Sequence, residues 1–320
     1  MSVASSLFSQ PASTTPNTGK DIVLLTGATG YIGSVVAERL LADGYQVRGL
    51  VRSEKSAQKA ARRGVEPWLG NLSDAESIAK AMDGAAAVIH TAALGGPEPG
   101  QSIEQAVATA VKILEVLRSL TEKHGIRLIS TSGASLYGDT GENLVNESSP
   151  TQVPPFLQPL TDIETQLSAT PHVHIMRNSM VYGRAGGSGI LSVIQSLQSR
   201  GRAAFVNEGI QLSFVHVDDL ADLYVRLLKQ PDAPSLVLAA SQIVSAKDFT
   251  AAAAAAAGVE EQFDQLSPQE AVADFGDMGH YLARNMRISG ALALEALDWT
   301  PSSPSLLQEL RTGSYQYAIL

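Results

Sequence analysis

The chain has 320 residues, 44% of them hydrophobic, a formal net charge of −9 and no cysteine. Length and apolar content suffice for a large buried core, while the acidic balance argues against nucleic acid as a partner, since its binders need a basic face. The lack of cysteine excludes a disulfide framework, a thiolate metal site and a Cys nucleophile. Residues 1–20 are rich in Ser, Thr, Pro and Asn without the charged and apolar regions of a secretory signal, and are expected to be a flexible tail. No run reaches the roughly 20 apolar residues of a bilayer span. A soluble, cytoplasmic protein with no membrane partner is expected.

From Ile22 to Arg177 apolar strand-like runs alternate with segments of helical period, the pattern of βαβ units building a parallel sheet. The spacing predicts strands over Ile22–Thr26, Gln46–Val51, Val65–Leu69, Ala87–His90, Arg127–Ser132 and His172–Arg177. It predicts helices over Ile32–Ala42, Lys55–Arg63, Ala75–Met82, Ile103–Lys123 and Thr161–Leu167. The fold class is therefore α/β, a doubly wound parallel Rossmann sheet with a smaller mixed C-terminal substrate lobe. The dinucleotide-binding part is expected over 21–182 with 216–240 returning to it as helix Val217–Lys229 and strand Leu236–Ala239. The substrate lobe would be built from 183–215 and 241–320. The alanine run Ala251–Ala257 reads as an ordinary helix beginning near Ala246.

Between the first strand and the first helix stand Gly27, Gly30 and Gly33, with Thr29, Tyr31 and Ile32 among them. A glycine turn of this kind lets the backbone approach a pyrophosphate, whose charge sits at a helix N-terminus where free N–H groups and the helix dipole favour an anion. The second strand ends in Val51-Arg52-Ser53-Glu54-Lys55, with no acidic residue at its tip to hold ribose hydroxyls. Arg52, helped by Ser53 and Lys55, is the candidate for a 2′-phosphate, so NADP(H) is expected in preference to NAD(H).

These motifs, together with Gly70-Asn71-Leu72-Ser73-Asp74, Val88–Ala93 (VIHTAA), Leu136-Tyr137-Gly138, Met176–Gly186 (MRNSMVYGRAG) and Phe214–Leu228, resemble the extended short-chain dehydrogenase/reductases, among them the NAD-dependent epimerase/dehydratase family. The resemblance implies a cofactor path lined by Asn71, Leu72, Thr91, Ala92 and Ala93. It places Asn178, Ser179 and Met180 beside the nicotinamide, and Ser132, or Thr131 beside it, at the family's catalytic Ser/Thr position. The family's chemistry uses a Tyr whose hydroxyl moves a proton and a Lys four residues later that lowers its pKa. Counting back from Glu164 puts Phe156 and Leu160 in those two slots, and neither moves a proton. The resemblance also implies a homodimer through long helices such as Ile103–Lys123.

Three readings follow from the altered pair. Hydride chemistry persists with Ser132, Tyr137 or Tyr182 as the acid; or the scaffold preorganises an apolar molecule for non-redox isomerisation or cyclisation; or the chain is a non-catalytic sensor of NADP(H). The substrate pocket is expected around Leu94, Gly95, Ser132, Phe156, Leu160 and Tyr182, holding a small, partly apolar metabolite. His172 and His174 have no carboxylate at ligand spacing, so no metal is expected. Asp218 or Asp219 is expected to cap the following helix.

Overall fold

The computed structural model describes residues 21–92, 101–230 and 232–317. The first part runs β1 (Ile22–Thr26), α1 (Tyr31–Ala42), β2 (Gln46–Val51), α2 (Glu54–Ala61), β3 (Glu66–Leu69), α3 (Ala75–Met82), β4 (Ala85–His90), α4 (Ile103–His124), β5 (Arg127–Gly133), α5 (Gln158–Ser168) and β6 (Val173–Asn178). It continues with β7 (Met180–Tyr182), α6 (Ser188–Arg200), β8 (Arg202–Phe205), β9 (Gln211–His216), α7 (Val217–Lys229), β10 (Leu236–Ala239), β11 (Gln242–Ser245), α8 (Ala246–Ala257), β12 (Glu260–Gln265), α9 (Pro268–Phe275), α10 (Asp277–Leu282), α11 (Ala291–Ala296) and α12 (Leu306–Thr312).

Seven strands pair in the order β10-β6-β5-β4-β1-β2-β3, every pairing parallel. Central strands of such a sheet are apolar on both faces because helices cover both. In β1, Val23 and Leu25 pack with Val36, Leu40 and Leu220 on one side, while Leu24 packs with Ile78, Leu117 and Leu128 on the other. The doubly wound sheet expected from the sequence is thus present, closed at one edge by the returning α7 and β10.

Most element ends fall within one or two residues of the sequence reading, and two of the differences have a clear physical cause. The sixth strand begins at Val173, because His172 takes a left-handed φ of +63° that a strand cannot hold. The helix expected from Thr161 begins at Gln158, since Pro159 fits the first helical turn, where its missing N–H is no loss. Strand β7, which the sequence reading groups with the dinucleotide half, instead pairs with β9 in a three-stranded sheet β11-β9-β7. Around that sheet, α6, α8 and α12 enclose a second core of Ile190, Ile194, Phe214, Phe249, Ala253 and Leu310. Among the described residues, no helix is long and apolar enough to cross a membrane.

Candidate active site

Adjacent strands β4, β1, β2 and β3 bring their C-terminal ends into one row, and the loops that follow them carry the glycine turn, Arg52, Asn71 and Thr91. Gly27 sits at φ +75°, and a Cβ on it would lie 2.7 Å from the Ala92 nitrogen. A Cβ on Gly33 would meet the Gly27 carbonyl oxygen at 2.2 Å. The turn is therefore tight enough to require glycine at both places. Gly30 caps α1 without a side-chain hydrogen bond, so the first amides of the helix have no side-chain acceptor and suit an external anion.

Around this turn the expected cofactor residues take distinct roles. Thr91 Oγ1 donates to the Thr26 carbonyl at 2.8 Å, locking β4 to β1 where Ala92 follows. Arg52, Ser53 and Lys55 are exposed at the tip of β2, with Ser53 capping α2 by accepting from the Ser56 amide. Asn71 turns its Oδ1 onto the Ser73 amide at 2.9 Å. Sequence reading misses Lys59, one turn beyond Lys55 on α2, whose Nζ donates to the Thr29 carbonyl at 2.7 Å. Ala93, Leu94 and Gly95 lie outside the described residues.

The N-terminus of α1 borders a cavity of about 330 Å³, lined there by Tyr31 and Ile32. Gly133 and Ser135 enter from the end of β5, Asn178 to Val181 from β6 and β7, and Gly187, Ser188 and Gly189 from the start of α6. Leu212, Ser213, Met278, Tyr281 and Met286 close the far side. No Asp, Glu, Lys, Arg or His is among these lining residues. Asn178 is buried to 8% exposure, and neither its Oδ1 nor its Nδ2 makes a well-formed hydrogen bond, although its amide acts on the Tyr224 hydroxyl. That hydroxyl is taken by Thr131 Oγ1 at 2.5 Å. A buried amide without well-formed hydrogen bonds is costly, which marks Asn178 as a group shaped for something that enters the cavity.

Ser132 does not line this cavity. Successive strand residues point to opposite faces, and the Ser132 hydroxyl donates to Glu164 on α5 while Gly133 and Ser135 face the cavity. Glu164 is ion-paired with Arg177 at 2.6 Å, both nearly fully buried, and Arg177 donates on to the Tyr137 hydroxyl at 2.9 Å. Tyr137 is thereby committed to the interior, 2% exposed, and burial raises its pKa. Tyr182, the third expected acid, points into the second core: its hydroxyl donates to the Pro304 carbonyl and accepts from Gln242, and burial raises its pKa as well. Phe156 sits on a surface turn at 39% exposure and Leu160 on the first turns of α5, and neither is among the lining residues. Ser135 and Tyr281 line the cavity, and their hydroxyls donate to no group among the described residues. Ser135 lies on the 3-10 turn Ala134–Tyr137 that follows β5, two residues before Tyr137 of the Leu136-Tyr137-Gly138 motif, but nothing in the sequence ties Tyr281 to this place.

The loop after β7 is clamped over α1. The Tyr31 hydroxyl donates to the Gly183 carbonyl at 2.8 Å, and Tyr315 accepts from the Gly183 amide and donates to the Gly186 carbonyl. His216 caps α7, its Nδ1 accepting from the Asp218 amide at 3.2 Å, so the cap expected of Asp218 or Asp219 falls to the residue before them. Asp219 is freed to accept from the Ser302 and Ser303 amides, tying the C-terminal segment to α7. His174 Nδ1 donates to the Pro234 carbonyl at 2.9 Å, and His172 lies outside the strand, so the two imidazoles do not share a strand face.

Among solved structures, that of gox2253 superposes with a TM-score of 0.76 at 20% identity, covering 93% of this chain and 98% of that one. The UDP-glucose 4-epimerase of Thermus thermophilus, solved with NAD, gives 0.71 at 21%, covering 93% and 100%. At these identities the likeness is one of fold. A Schizosaccharomyces pombe protein described as uncharacterized is 27% identical over 302 residues, 92% of this chain and 99% of its own. A Stigmatella aurantiaca 4-hydroxy-2-methyl-3-oxo-4-farnesyl-3,4-dihydroquinoline-1-oxide ketoreductase is 33% identical over 133 residues, 41% of this chain and 40% of its own. The model of the NAD dependent epimerase/dehydratase family matches residues 23–238, two-thirds of the chain and all seven strands of the large sheet but the first residue of β1 and the last of β10. The chain belongs to that family.

Proposed function

We infer that the chain is an NADP(H)-dependent oxidoreductase that interconverts a carbonyl and an alcohol on a small, partly apolar metabolite. The observation that carries this reading is the continuity of the glycine turn with the cavity: Tyr31 and Ile32 belong to both. Gly27, Gly30 and Gly33 would hold the pyrophosphate of a dinucleotide, and the Asn178 amide in the adjoining cavity would suit the donor and acceptor of its carboxamide. The residues therefore fit the group. The bound nicotinamide supplies or accepts the hydride. This chain supplies orientation and a proton: Tyr281 is the donor to the carbonyl oxygen, Ser135 holds that oxygen by a hydrogen bond, and the uncharged wall excludes water. The activity named for the Stigmatella relative, that of a ketoreductase, supports the reaction class.

Cofactor choice rests on the tip of β2. Arg52 meets a 2′-phosphate there, and Lys59 adds a second positive charge beside Thr29. Titration of the protein with NADPH and NADH tests this. Arg52→Ala is expected to weaken NADPH about 10- to 100-fold, the worth of a charge-assisted contact, and to leave NADH within about twofold. Equal losses for both cofactors refute the assignment.

A second reading is favoured by one observation, the absence of Asp, Glu, Lys, Arg and His from the residues that line the cavity. In it the dinucleotide is retained but not consumed, and the cavity folds an apolar molecule for isomerisation or cyclisation. Product formed with no change in NADPH absorbance would establish it over the oxidoreductase.

A further inference from the structure

The chain has six methionines, and three of them, Met180, Met278 and Met286, line this one cavity. They come from three separate places: β7, α10 and the segment after α10 that bridges Leu212 of β9. Two of the sulfurs converge at Gly189, where a Cβ would lie 3.0 Å from the Met278 sulfur and 4.0 Å from that of Met180. Core methionines usually fill gaps, as Met82 and Met176 do within the two cores flanking the sheet. Met278 and Met286 belong to the second core and Met180 packs against it, but all three also border about 330 Å³ of open space, with Gly133, Gly187 and Gly189 among the other lining residues.

Thioethers are polarizable and make favourable contacts with aromatic rings, and their flexible chains adjust to a flat ligand. No charged residue lines the wall, and the Arg284 guanidinium stacks 5.0 Å from the Tyr281 ring rather than lining the wall, so a phosphate or carboxylate would find little to offset its desolvation. We propose that the cavity takes an uncharged aromatic ketone, its ring held among Met180, Met278 and Met286 and its carbonyl turned toward Ser135. The proposal rests on the reading of this cavity as the reaction site and adds the substrate class. It sets the chain apart from the UDP-glucose 4-epimerase whose fold it shares, because a sugar nucleotide carries two phosphates.

The test uses the full chain labelled with carbon-13 at its methionine methyl groups, titrated in the presence and absence of NADP(H). The ligands are acetophenone, its saturated counterpart acetylcyclohexane, and the charged acetylbenzoate. Acetophenone is expected to shift the methyl signals of Met180, Met278 and Met286 by its ring current while those of the buried Met82 and Met176 stay in place. Acetylcyclohexane is expected to bind up to about tenfold more weakly, and acetylbenzoate not to bind. The triple variant Met180→Leu, Met278→Leu, Met286→Leu keeps side-chain volume and is expected to erase the preference for the aromatic ketone while still binding the saturated one. Equal affinity of the wild type for the two neutral ketones, or binding of acetylbenzoate as tight as that of acetophenone, overturns the proposal. Ketone shifts at the three methyls without any NADP(H) binding would uphold this substrate class and sink the dinucleotide reading. Cofactor binding with no methyl response to any ketone would do the reverse.

Discussion

A one-residue difference along β5 decides which hydroxyl faces the cavity. The run Ser130-Thr131-Ser132-Gly133 offers three hydroxyls to a sequence reader, but the pleat turns Ser132 toward Glu164 and leaves the cavity side to Gly133, with Ser135 reaching the cavity from the 3-10 turn that follows the strand. The Glu164–Arg177 pair beneath it is structural. Burying both charges is repaid only while they remain together, and Ser132 and Tyr137 satisfy the atoms left over. Glu164→Gln leaves the Arg177 guanidinium buried without its counter-charge and is expected to lower unfolding stability by about 3–5 kcal/mol, read from the urea midpoint. A loss under about 1 kcal/mol would place the pair among weak surface bridges. Tyr281→Phe removes a cavity hydroxyl without touching that pair. Turnover of a ketone substrate is expected to fall about 10²- to 10⁴-fold, the worth of a general acid, with NADPH affinity unchanged; an unaltered kcat would hand the proton to Ser135.

Local elements are legible where one short segment contains its own physical cause. The glycine turn is such a case, because strand, three glycines and helix follow one another within Ile22–Ala42, and the structure shows why Gly33 admits no Cβ. The alanine helix α8 is another, its small side chains letting α6 and α12 pack closely on it. The loop over α1 reads in sequence only as glycine-rich, because most of what holds it lies more than a hundred residues away. Arg184 and Ala185 take left-handed φ values of +51° and +54°, a costly conformation for residues with a Cβ. The loop is held there by Tyr31, Tyr315, the Ser314 hydroxyl on the Ala185 amide, and Arg184 bridging Glu38 and Asp218. Tyr315→Phe takes away the acceptor of the Gly183 amide and is expected to cost about 1–3 kcal/mol. Hydrogen exchange at Gly183 should speed up with it while the strands of the large sheet stay protected. Unchanged exchange at Gly183 would mean that the C-terminal segment does not hold the loop.

At the scale of the whole molecule, the large sheet is legible in the sequence and the cavity is not. Parallel strands repeat a pattern along the chain, whereas the cavity wall draws on β5, β6, β7, β9 and α10, whose meeting depends on crossovers that no local spacing encodes. The same large sheet buries a group whose charge state couples to folding as a whole. His90, at the end of β4, is 7% exposed, its Nδ1 is 2.7 Å from the Thr26 hydroxyl, and burial pushes its pKa from 6.5 down to about 4. Burial lowers His174 and His216 too. The unfolded chain takes up a proton at His90 near its ordinary value, and the folded chain resists until about pH 4. In that window the unfolded state binds more protons, so stability falls as pH drops from about 6.5 and levels off below about 4, with His90 accounting for about 3 kcal/mol. Urea midpoints across this window, compared between the wild type and His90→Gln, isolate the contribution from that of the carboxylates. The variant starts less stable near neutrality and is expected to lose less on acidification, so that the two curves converge near pH 4. Parallel curves would mean that water reaches His90 and that the end of β4 opens in solution.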